Sequence, residues 1–189
     1  GGFYIGRYEV GDLSQTTPVV KRMNTDIGSQ TWYTMYKKCK KLSGANTNVK
    51  TSMIWGTQYD QVMNWLIKSG EKTPLDINKG SVAWGNYRDV EFEYYTNTSK
   101  TTATKKLGRQ KRIASGAYEG AKANNIYDLA GNVWLWTLEA ISSGAGDGRY
   151  YRGGSCSDYG TSHYASGRNY NYPYDYSSTF GYGGTLYIK

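Results

Sequence analysis

The feature that most constrains this chain is its densest apolar segment, which covers residues 125–138 (NIYDLAGNVWLWTL). Within that segment a β-strand is predicted over residues 133–136, after the Gly-Asn turn at residues 131–132. Side chains alternate between the two faces of a strand, so Trp134 and Trp136 share one face. Two large aromatic side chains on one face predict that this strand belongs to the core.

The rest of the chain predicts two early helices between flanking strands. Apolar residues at helical spacing predict a first helix from about Thr31 to Leu42 and a second from about Gln58 to Ser69, and Thr57 and Asp60 are the expected capping residues of the second. Strands are expected over Phe3–Val10, Tyr150–Arg152 and Thr185–Ile188, and residues 17–22 are expected to form an edge strand or a loop. Long loops anchored by Trp84 and Tyr87 are expected over residues 70–125, and a further loop over residues 144–148.

This order of elements predicts one α+β domain over residues 1–189, with two helices, a small antiparallel sheet and much irregular structure. A chain of 189 residues is long enough for one core. No apolar stretch approaches the roughly 18 residues of a membrane span. The start, GGFY, lacks the features of a signal peptide, so we expect it to be a cut end within a larger protein.

The net charge of +8 raises the question of a nucleic-acid partner. Nine of the 23 Lys and Arg residues lie in two clusters, at residues 37–41 and 105–112. Neither cluster contains interleaved aromatic residues or a known nucleic-acid motif, and solvated faces explain such clusters more often. We therefore expect no nucleic-acid partner.

Residues suited to metal binding or nucleophilic catalysis are scarce. The two cysteines, Cys39 and Cys156, allow a single disulfide, and the sequence leaves open whether it forms. There is no CxxC motif, and His163 is the only histidine, which argues against a zinc site and against a Ser-His-Asp triad. We therefore expect no catalytic residues, no metal and no cofactor.

Three motifs stand in order along the chain: FYIGRYEV at residues 3–10, NIYDLAGNVWLW at residues 125–136 and YRGGS at residues 151–155. The arrangement resembles the formylglycine-generating-enzyme (sulfatase-modifying factor) family, whose fold is of the C-type lectin kind. That family has a YDMAGNVWEW-like motif, then RGGS and a terminal GFR-like segment, which FGYGGTLYI at residues 180–188 resembles. The resemblance covers nearly the whole chain and implies a C-type lectin fold of the formylglycine-generating-enzyme type.

The same motifs lack the residues of the family's chemistry. Oxidase members use a cysteine pair shortly after RGGS to bind copper, and here Cys156 stands alone. Iron-dependent relatives use several histidines. Members that bind calcium use the Asn and Glu of the GNVWEW motif; Asn132 is present, but Leu135 replaces the Glu. The resemblance therefore implies the fold without the enzyme activity.

Another branch of this fold fits the C-terminal tail, residues 153–188. Variable proteins of diversity-generating retroelements carry a variable region that begins near RGGS and ends near the GFR-like segment. It is diversified by changing adenines, often in AAC codons, and an NNC codon never encodes Lys, Glu, Gln, Met or Trp. Residues 1–152 contain 14 Lys, 6 Glu, 5 Gln, 4 Met and 6 Trp, whereas the tail contains none. The upstream rate would give roughly eight.

The tail is rich in Tyr, Ser, Asn and Gly, the composition of antibody-type binding surfaces. A Gly- and Tyr-rich structural loop would also lack Lys and Glu, and it is the alternative interpretation. Residues 152–155, 165, 166, 168, 173, 181 and 185–188 resemble fixed positions of related tails. The candidate ligand-binding residues are Asp158, Tyr159, His163, Tyr164, Asn169, Tyr170, Asn171, Tyr172, Tyr174, Asp175, Tyr176, Ser177 and Ser178.

The resemblance implies a ligand-binding display protein without enzyme activity. Its expected partner is an unidentified protein or glycan on a target surface. Its expected location is a phage virion or a bacterial cell surface, or it is secreted, and it is open whether it forms part of a larger surface or virion protein. Two alternatives stay open at this point. One is an oxidase of the formylglycine-generating type with an altered site, and the other is a carbohydrate-binding lectin that is not diversified.

Overall fold

The computed structural model describes residues 2–12, 17–25, 28–141 and 148–189. The helices are α1 (Trp32–Lys41), α2 (Gly56–Lys68) and α3 (Pro74–Asn78). The strands are β1 (Tyr4–Ile5), β2 (Val10–Asp12), β3 (Pro18–Val20), β4 (Val49–Met53), β5 (Phe92–Tyr95), β6 (Thr102–Lys105), β7 (Lys122–Ala123), β8 (Ile126–Tyr127), β9 (Trp134–Ala140), β10 (Arg149–Arg152), β11 (Arg168–Asn171), β12 (Phe180–Tyr182) and β13 (Gly184–Ile188). The predicted α+β class is confirmed. Apart from Gly148, the loop expected over residues 144–148 lies outside the described residues.

The first helix forms where the sequence predicts it. The hydroxyl oxygen of Thr31 accepts a hydrogen bond from the N–H of Thr34 over 3.3 Å and caps the N-terminus of α1. Trp32, Met35 and Cys39 form the buried stripe of the helix. Within the described ranges, no helix combines the length and apolarity that crossing a membrane requires.

The predicted cap of the second helix is wrong. α2 begins at Gly56, and the side-chain oxygen of Gln58 accepts the N–H of Trp55 over 2.9 Å, which satisfies the end of the helix. Asp60, the expected partner of Thr57 at the cap, instead forms an ion pair with Arg152. The helix therefore begins two residues earlier than the sequence indicates.

A third, short helix adds to the predicted two. Pro74 occupies the first turn of α3, where its missing N–H costs nothing. The hydroxyl of Thr73 accepts the N–H of Asp76 over 3.1 Å, and the Asp76 carboxylate accepts the N–H of Thr73 over 2.7 Å. This reciprocal cap makes a helix out of a segment that the sequence analysis assigned to loops.

The main sheet has the strand order β11-β10-β9-β12, with β9 in the interior. β10 pairs antiparallel with both β9 and β11, whereas β12 runs parallel to β9. A second sheet, β1-β13-β4, is antiparallel throughout and joins the two ends of the described chain. In place of the one small antiparallel sheet expected from the sequence, the described residues form several sheets, and β12 pairs with β9 in parallel.

The single strand expected over Phe3–Val10 is wrong. β1 pairs with β13, whereas β2 pairs with β3, so the chain changes partners between them. The same pairing resolves the open question about residues 17–22, because β3 is a strand. Partner choice depends on segments far along the chain, which local alternation does not report.

The two tryptophans of β9 lie in the core, as predicted. Trp134 and Trp136 are 6% and 0% exposed and belong to one cluster of buried side chains. The ring of Trp136 packs 5.1 Å from the ring of Tyr151 and 4.8 Å from that of Phe180. Phe180 and Tyr182 show that the end of the tail is part of the core.

One member of the second basic cluster is buried. The ammonium group of Lys105 donates hydrogen bonds to the carbonyl oxygens of Tyr87 and Val90, over 2.5 and 2.7 Å. Burial lowers the pKa of this ammonium group. Lys105 is therefore engaged inside the protein and is not part of a solvated basic face.

Candidate ligand-binding surface

The tail contributes both edge strands of the main sheet, β11 and β12. β11 pairs antiparallel with β10, with Tyr170 opposite Tyr150. The far side of an edge strand faces solvent. Three of the four residues of β11 are exposed, and Asn171 is half-buried. This strand therefore presents its side chains to the outside.

We call residues 1–152 the scaffold. Buried scaffold side chains form hydrogen bonds with main-chain atoms in the first half of the tail. The hydroxyl of Tyr59 lies 2.9 Å from the carbonyl oxygen of Ala165, and the hydroxyl of Tyr87 donates to the carbonyl oxygen of Gly153 over 2.7 Å. The hydroxyl oxygen of Ser81 accepts the N–H of Ala165 over 2.8 Å. These bonds use main-chain atoms of the tail, so substitution of tail side chains leaves them in place.

The second half of the tail, residues 172–179, is held in the same way. Here α1 and its preceding turn, β9 and a scaffold arginine donate hydrogen bonds to main-chain carbonyl groups of the tail. The bonds run from Trp32 to Pro173 (3.1 Å), from Ser29 to Ser177 (3.1 Å), from Arg112 to Ser178 (2.9 Å) and from Trp134 to Thr179 (2.7 Å). The path of this segment is therefore also fixed through its backbone.

The RGGS motif at residues 152–155 begins the tail and has a structural role. Gly153 and Gly154 have φ angles of +94° and +79°, which favour glycine. A Cβ atom at Gly154 would lie 2.6 Å from the ring of Tyr87. Arg152 is buried and pairs with Asp60. These residues therefore have structural roles and form the frame of the tail, as the sequence analysis expected from related tails.

Exposed tyrosines dominate the outer face of the tail. Five of them, Tyr159, Tyr170, Tyr172, Tyr174 and Tyr176, are between 45% and 72% exposed. The rings of Tyr172 and Tyr174 stack with centroids 5.2 Å apart, and Tyr170 packs edge-on against Tyr150 at 6.0 Å. Exposed aromatic side chains at this density offer a large, rigid contact area.

The candidate residues divide into exposed and half-buried positions. The exposed ones are Tyr159, Asn169, Tyr170, Tyr172, Tyr174, Tyr176 and Ser178. The half-buried ones are Asp158, His163, Tyr164, Asn171, Asp175 and Ser177.

Two of the half-buried candidates hold the frame. The carboxylate of Asp158 accepts the N–H and the hydroxyl of Ser155, over 2.9 and 2.6 Å. The ring of His163 lies edge-on against that of Trp134, with centroids 5.6 Å apart. These contacts favour a positioning role for Asp158 and His163.

The structure places the candidates in two groups. The loop at residues 158–164 contacts the scaffold through Arg88, whose N–H donates to the carbonyl of Asp158, and Asp89, which accepts the N–H of Gly160. Both hydrogen bonds are 2.8 Å long. The segment at residues 169–178 instead contacts β10 and the start of α1. Most of the exposed tyrosine surface belongs to this second segment.

Sequence reasoning missed Tyr33, an exposed scaffold residue that directly follows the contact between α1 and the second segment. Its side chain is 45% exposed, and it follows Trp32, whose N–H binds the tail. The buried stripe of α1 runs through Trp32, Met35 and Cys39, and Tyr33 lies off that stripe. An aromatic residue off the apolar stripe of a helix is the sequence signal that identifies it.

Arg168 connects the tail to the scaffold through its guanidinium group. Its guanidinium lies 3.8 Å from the ring centroid of Tyr150 and forms an ion pair with Glu139. Both partners belong to the scaffold, and Arg168 itself is exposed. This bridge agrees with its resemblance to a fixed position of related tails.

A hydrogen-bond network surrounds the side chain of Asn132, the residue that the resemblance implies as a calcium ligand in some members. The side-chain amide of Asn132 donates to Glu9 over 2.8 Å, and its oxygen accepts from the side chain of Asn86 over 2.9 Å and from the N–H of Ile113 over 3.0 Å. Leu135 is buried in the core. Among the described residues, no three or more His, Cys, Asp or Glu side chains converge as a metal site.

Both cysteines are free thiols, so the disulfide that the sequence left open is not formed. Cys39 is buried in α1, with its sulfur 3.7 Å from the carbonyl oxygen of Gly183. Burial raises the pKa of the Cys156 thiol to about 11 and that of the Cys39 thiol further. The thiolate is the form that acts as a nucleophile, and burial disfavours it at both positions.

Comparison with known proteins identifies the fold. No family model and no curated protein matches the sequence. Among solved structures, the chain is similar to PvdO from Pseudomonas aeruginosa, with a TM-score of 0.59 and 14% identity over 98% of this chain and 80% of that one. It is also similar to CarF, with a TM-score of 0.54 and 13% identity over 99% of this chain and 87% of that one.

A third similar structure is Treponema denticola variable protein 1. Its TM-score is 0.51 at 17% identity, over 93% of this chain and 74% of that one. These matches cover nearly the whole chain, so the expected C-type lectin fold of the formylglycine-generating-enzyme type is confirmed. At such identities, the likeness identifies the fold and not the activity.

Proposed function

We propose that this chain is a ligand-binding display protein in which the tail, residues 153–188, carries a variable binding surface. The observation that carries the proposal is how the tail is attached. Scaffold groups such as Tyr59, Tyr87 and Trp32 hold its backbone, while the tyrosines of residues 170–176 face solvent. A loop held in this way tolerates many side chains, which is what a display surface requires.

Composition supports the same function. The tail lacks the five residue types that an NNC codon never encodes, and Tyr, Ser, Asn and Gly replace them. Tyr supplies contact area at low entropic cost, and Ser and Asn supply adaptable hydrogen bonds. The likeness to a protein named as a variable protein supports the proposal further. The ligand we propose is a protein or glycan on a target surface, reached from a phage virion or a bacterial cell surface.

We also propose that the chain has no oxidase activity. Cys156 is buried and is the only cysteine of the tail, so it has no neighbouring cysteine to share a copper ion, and Cys39 lies in the core cluster of α1. We expect no formylglycine in a sulfatase-type peptide substrate after incubation with the protein and copper, measured by mass spectrometry. A peptide mass shift that depends on the protein would contradict this part of the proposal.

A codon library tests the display function directly. In this library, the candidate ligand-binding residues other than Asp158 and His163, which hold the frame, carry NNC codons. The members are displayed on yeast and selected against lysozyme as a model target. We expect most members to be displayed as folded protein and several rounds of selection to yield specific binders. The control library randomises the same number of exposed scaffold positions in α1 and α2.

The two libraries separate the possible outcomes. Binders from the tail library alone support the proposal. A tail library that is mostly unfolded, or binders that arise equally from the control library, would contradict it. The proposal also makes a prediction about the gene. We expect a second copy of the codons for residues 153–188 nearby, which differs from the first only at adenines.

A further inference from the structure

A groove of about 580 Å³ lies on the scaffold, and none of its lining residues belongs to the tail. The groove runs between β1, α2 and the hairpin formed by β7 and β8, with Val62 and Ile126 buried in its floor. Its volume falls within the range of roughly 300–1,000 Å³ that is typical of small-molecule sites. The proposed display function gives this groove no role.

Two exposed aromatic side chains line the groove. Trp65, on α2, is 46% exposed, and Tyr4, on β1, is 61% exposed. Large exposed aromatic rings beside an apolar floor mark surfaces that bind something. A flat ring of this kind packs well against the C–H face of a pyranose sugar, which is apolar although its edges carry hydroxyl groups.

Polar side chains at the groove match the edges of a sugar. Gln61 and Asn125 are exposed, and each amide provides both a donor and an acceptor, which suits hydroxyl groups. Arg7 adds a positive charge, and none of the described residues that line the groove is acidic. Within the described part of the chain, these three side chains make no hydrogen bond or ion pair, so they are free to bind a ligand.

The walls of the groove are tied to one another. Asn124 and Asn125 form the two-residue turn between β7 and β8, and both have positive φ, as a type I′ hairpin requires. The side chain of Asn124 donates to the hydroxyl of Ser69 at the end of α2 over 2.7 Å. The N–H of Tyr127 donates to the carbonyl of Arg7 over 2.9 Å. A site held in this way loses little freedom when a ligand binds.

We propose that this groove binds a short acidic saccharide. Trp65 and Tyr4 pack against the sugar rings, Gln61 and Asn125 hydrogen-bond to hydroxyl groups, and Arg7 pairs with a sugar carboxylate. The site is separate from the tail, so the protein carries a fixed saccharide site beside a variable surface.

A glycan array that contains acidic and neutral oligosaccharides of matched length tests the proposal. We expect the parent protein to bind acidic glycans in preference to neutral ones. Trp65→Ala weakens binding at least about tenfold because the stacking surface is lost, and Arg7→Gln removes the preference for acidic glycans. Trp55→Ala is the matched control: Trp55 is 48% exposed at the start of the same helix and does not line the groove, so its loss changes binding by less than about twofold.

The tail tests the independence of the two sites. A variant with Tyr170, Tyr172, Tyr174 and Tyr176 changed to Ser keeps glycan binding if the groove is the site. Loss of glycan binding in that variant, binding that persists in Trp65→Ala, or no glycan bound at all would overturn the proposal. Self-association in sedimentation that Trp65→Ala abolishes would also overturn it, since the groove would then be an interface between copies of the chain.

Discussion

Two sets of aromatic residues in this molecule have similar chemistry and opposite environments. Trp134, Trp136 and Phe180 belong to one buried cluster on the main sheet, in which Trp136 packs against Phe180. The tyrosines at residues 170–176 extend into solvent from a backbone that scaffold groups hold. In the first set the side chains stabilise the fold, whereas in the second the main chain does. The difference explains how one tail can combine a fixed fold with replaceable side chains.

The largest effect is expected in the buried set. Trp136 is fully buried, so Trp136→Ala leaves a cavity and lowers the free energy of unfolding by about 3–5 kcal/mol. The measurement is the urea midpoint of the variant against that of the parent. An unchanged midpoint would show that the main-sheet cluster is not the stabilising core.

The second effect is a dependence of stability on pH, which arises from a buried carboxyl group of the scaffold. Burial raises the pKa of Asp128 to about 6, although hydrogen bonds from Gly116 and Ser115 oppose the shift. The folded state therefore binds more protons than the unfolded state between about pH 4 and pH 6, and stability falls as pH rises through that window. The expected loss is about 2–3 kcal/mol.

Asp128→Asn isolates this contribution. The amide does not titrate, so the dependence of the urea midpoint on pH becomes flatter between pH 4 and pH 6. Glu9 acts in the same direction, because burial and the charge of Asp128 raise its pKa, so part of the slope persists. A variant with the slope of the parent would contradict the assignment to Asp128.

A smaller effect tests how the tail is held. Tyr59→Phe removes the hydroxyl that lies beside the carbonyl groups of Leu129 and Ala165. Leaving these buried acceptors without that donor costs about 1–2 kcal/mol. Tyr176→Phe is the control, because Tyr176 is 72% exposed and the change leaves stability unaltered. Equal midpoints for the two variants would mean that the scaffold hydroxyl does not hold the tail.

Local sequence patterns predict the parts of the fold that depend on local physics. The period of two in β9 identifies the shared face of Trp134 and Trp136, and helical spacing with Thr31 identifies α1. The cap of α2 was predicted wrongly because Thr57 and Asp60 match the usual capping pattern. The helix is capped instead by the side chain of Gln58, which accepts the N–H of Trp55.

Features that depend on distant residues were not predictable. The hydrogen bonds between the tail and the side chains of Tyr59, Tyr87 and Ser81 join segments more than 60 residues apart in the chain. No local pattern indicates such a bond, and the burial of Lys105 depends in the same way on carbonyl groups that the fold brings to it. Composition predicted the exposed tyrosines, but only the structure shows how their backbone is held.

The most direct test of the central claim is a thermal melt of the variant with Tyr170, Tyr172, Tyr174 and Tyr176 changed to Ser. Each exposed substitution costs at most about 0.5 kcal/mol. We expect a single cooperative transition within about 8 °C of the parent, a smaller shift than that of Trp136→Ala. Loss of the transition, or a fall in melting temperature as large as that of Trp136→Ala, would show that these tyrosines are core residues. It would contradict the proposal that they form a display surface.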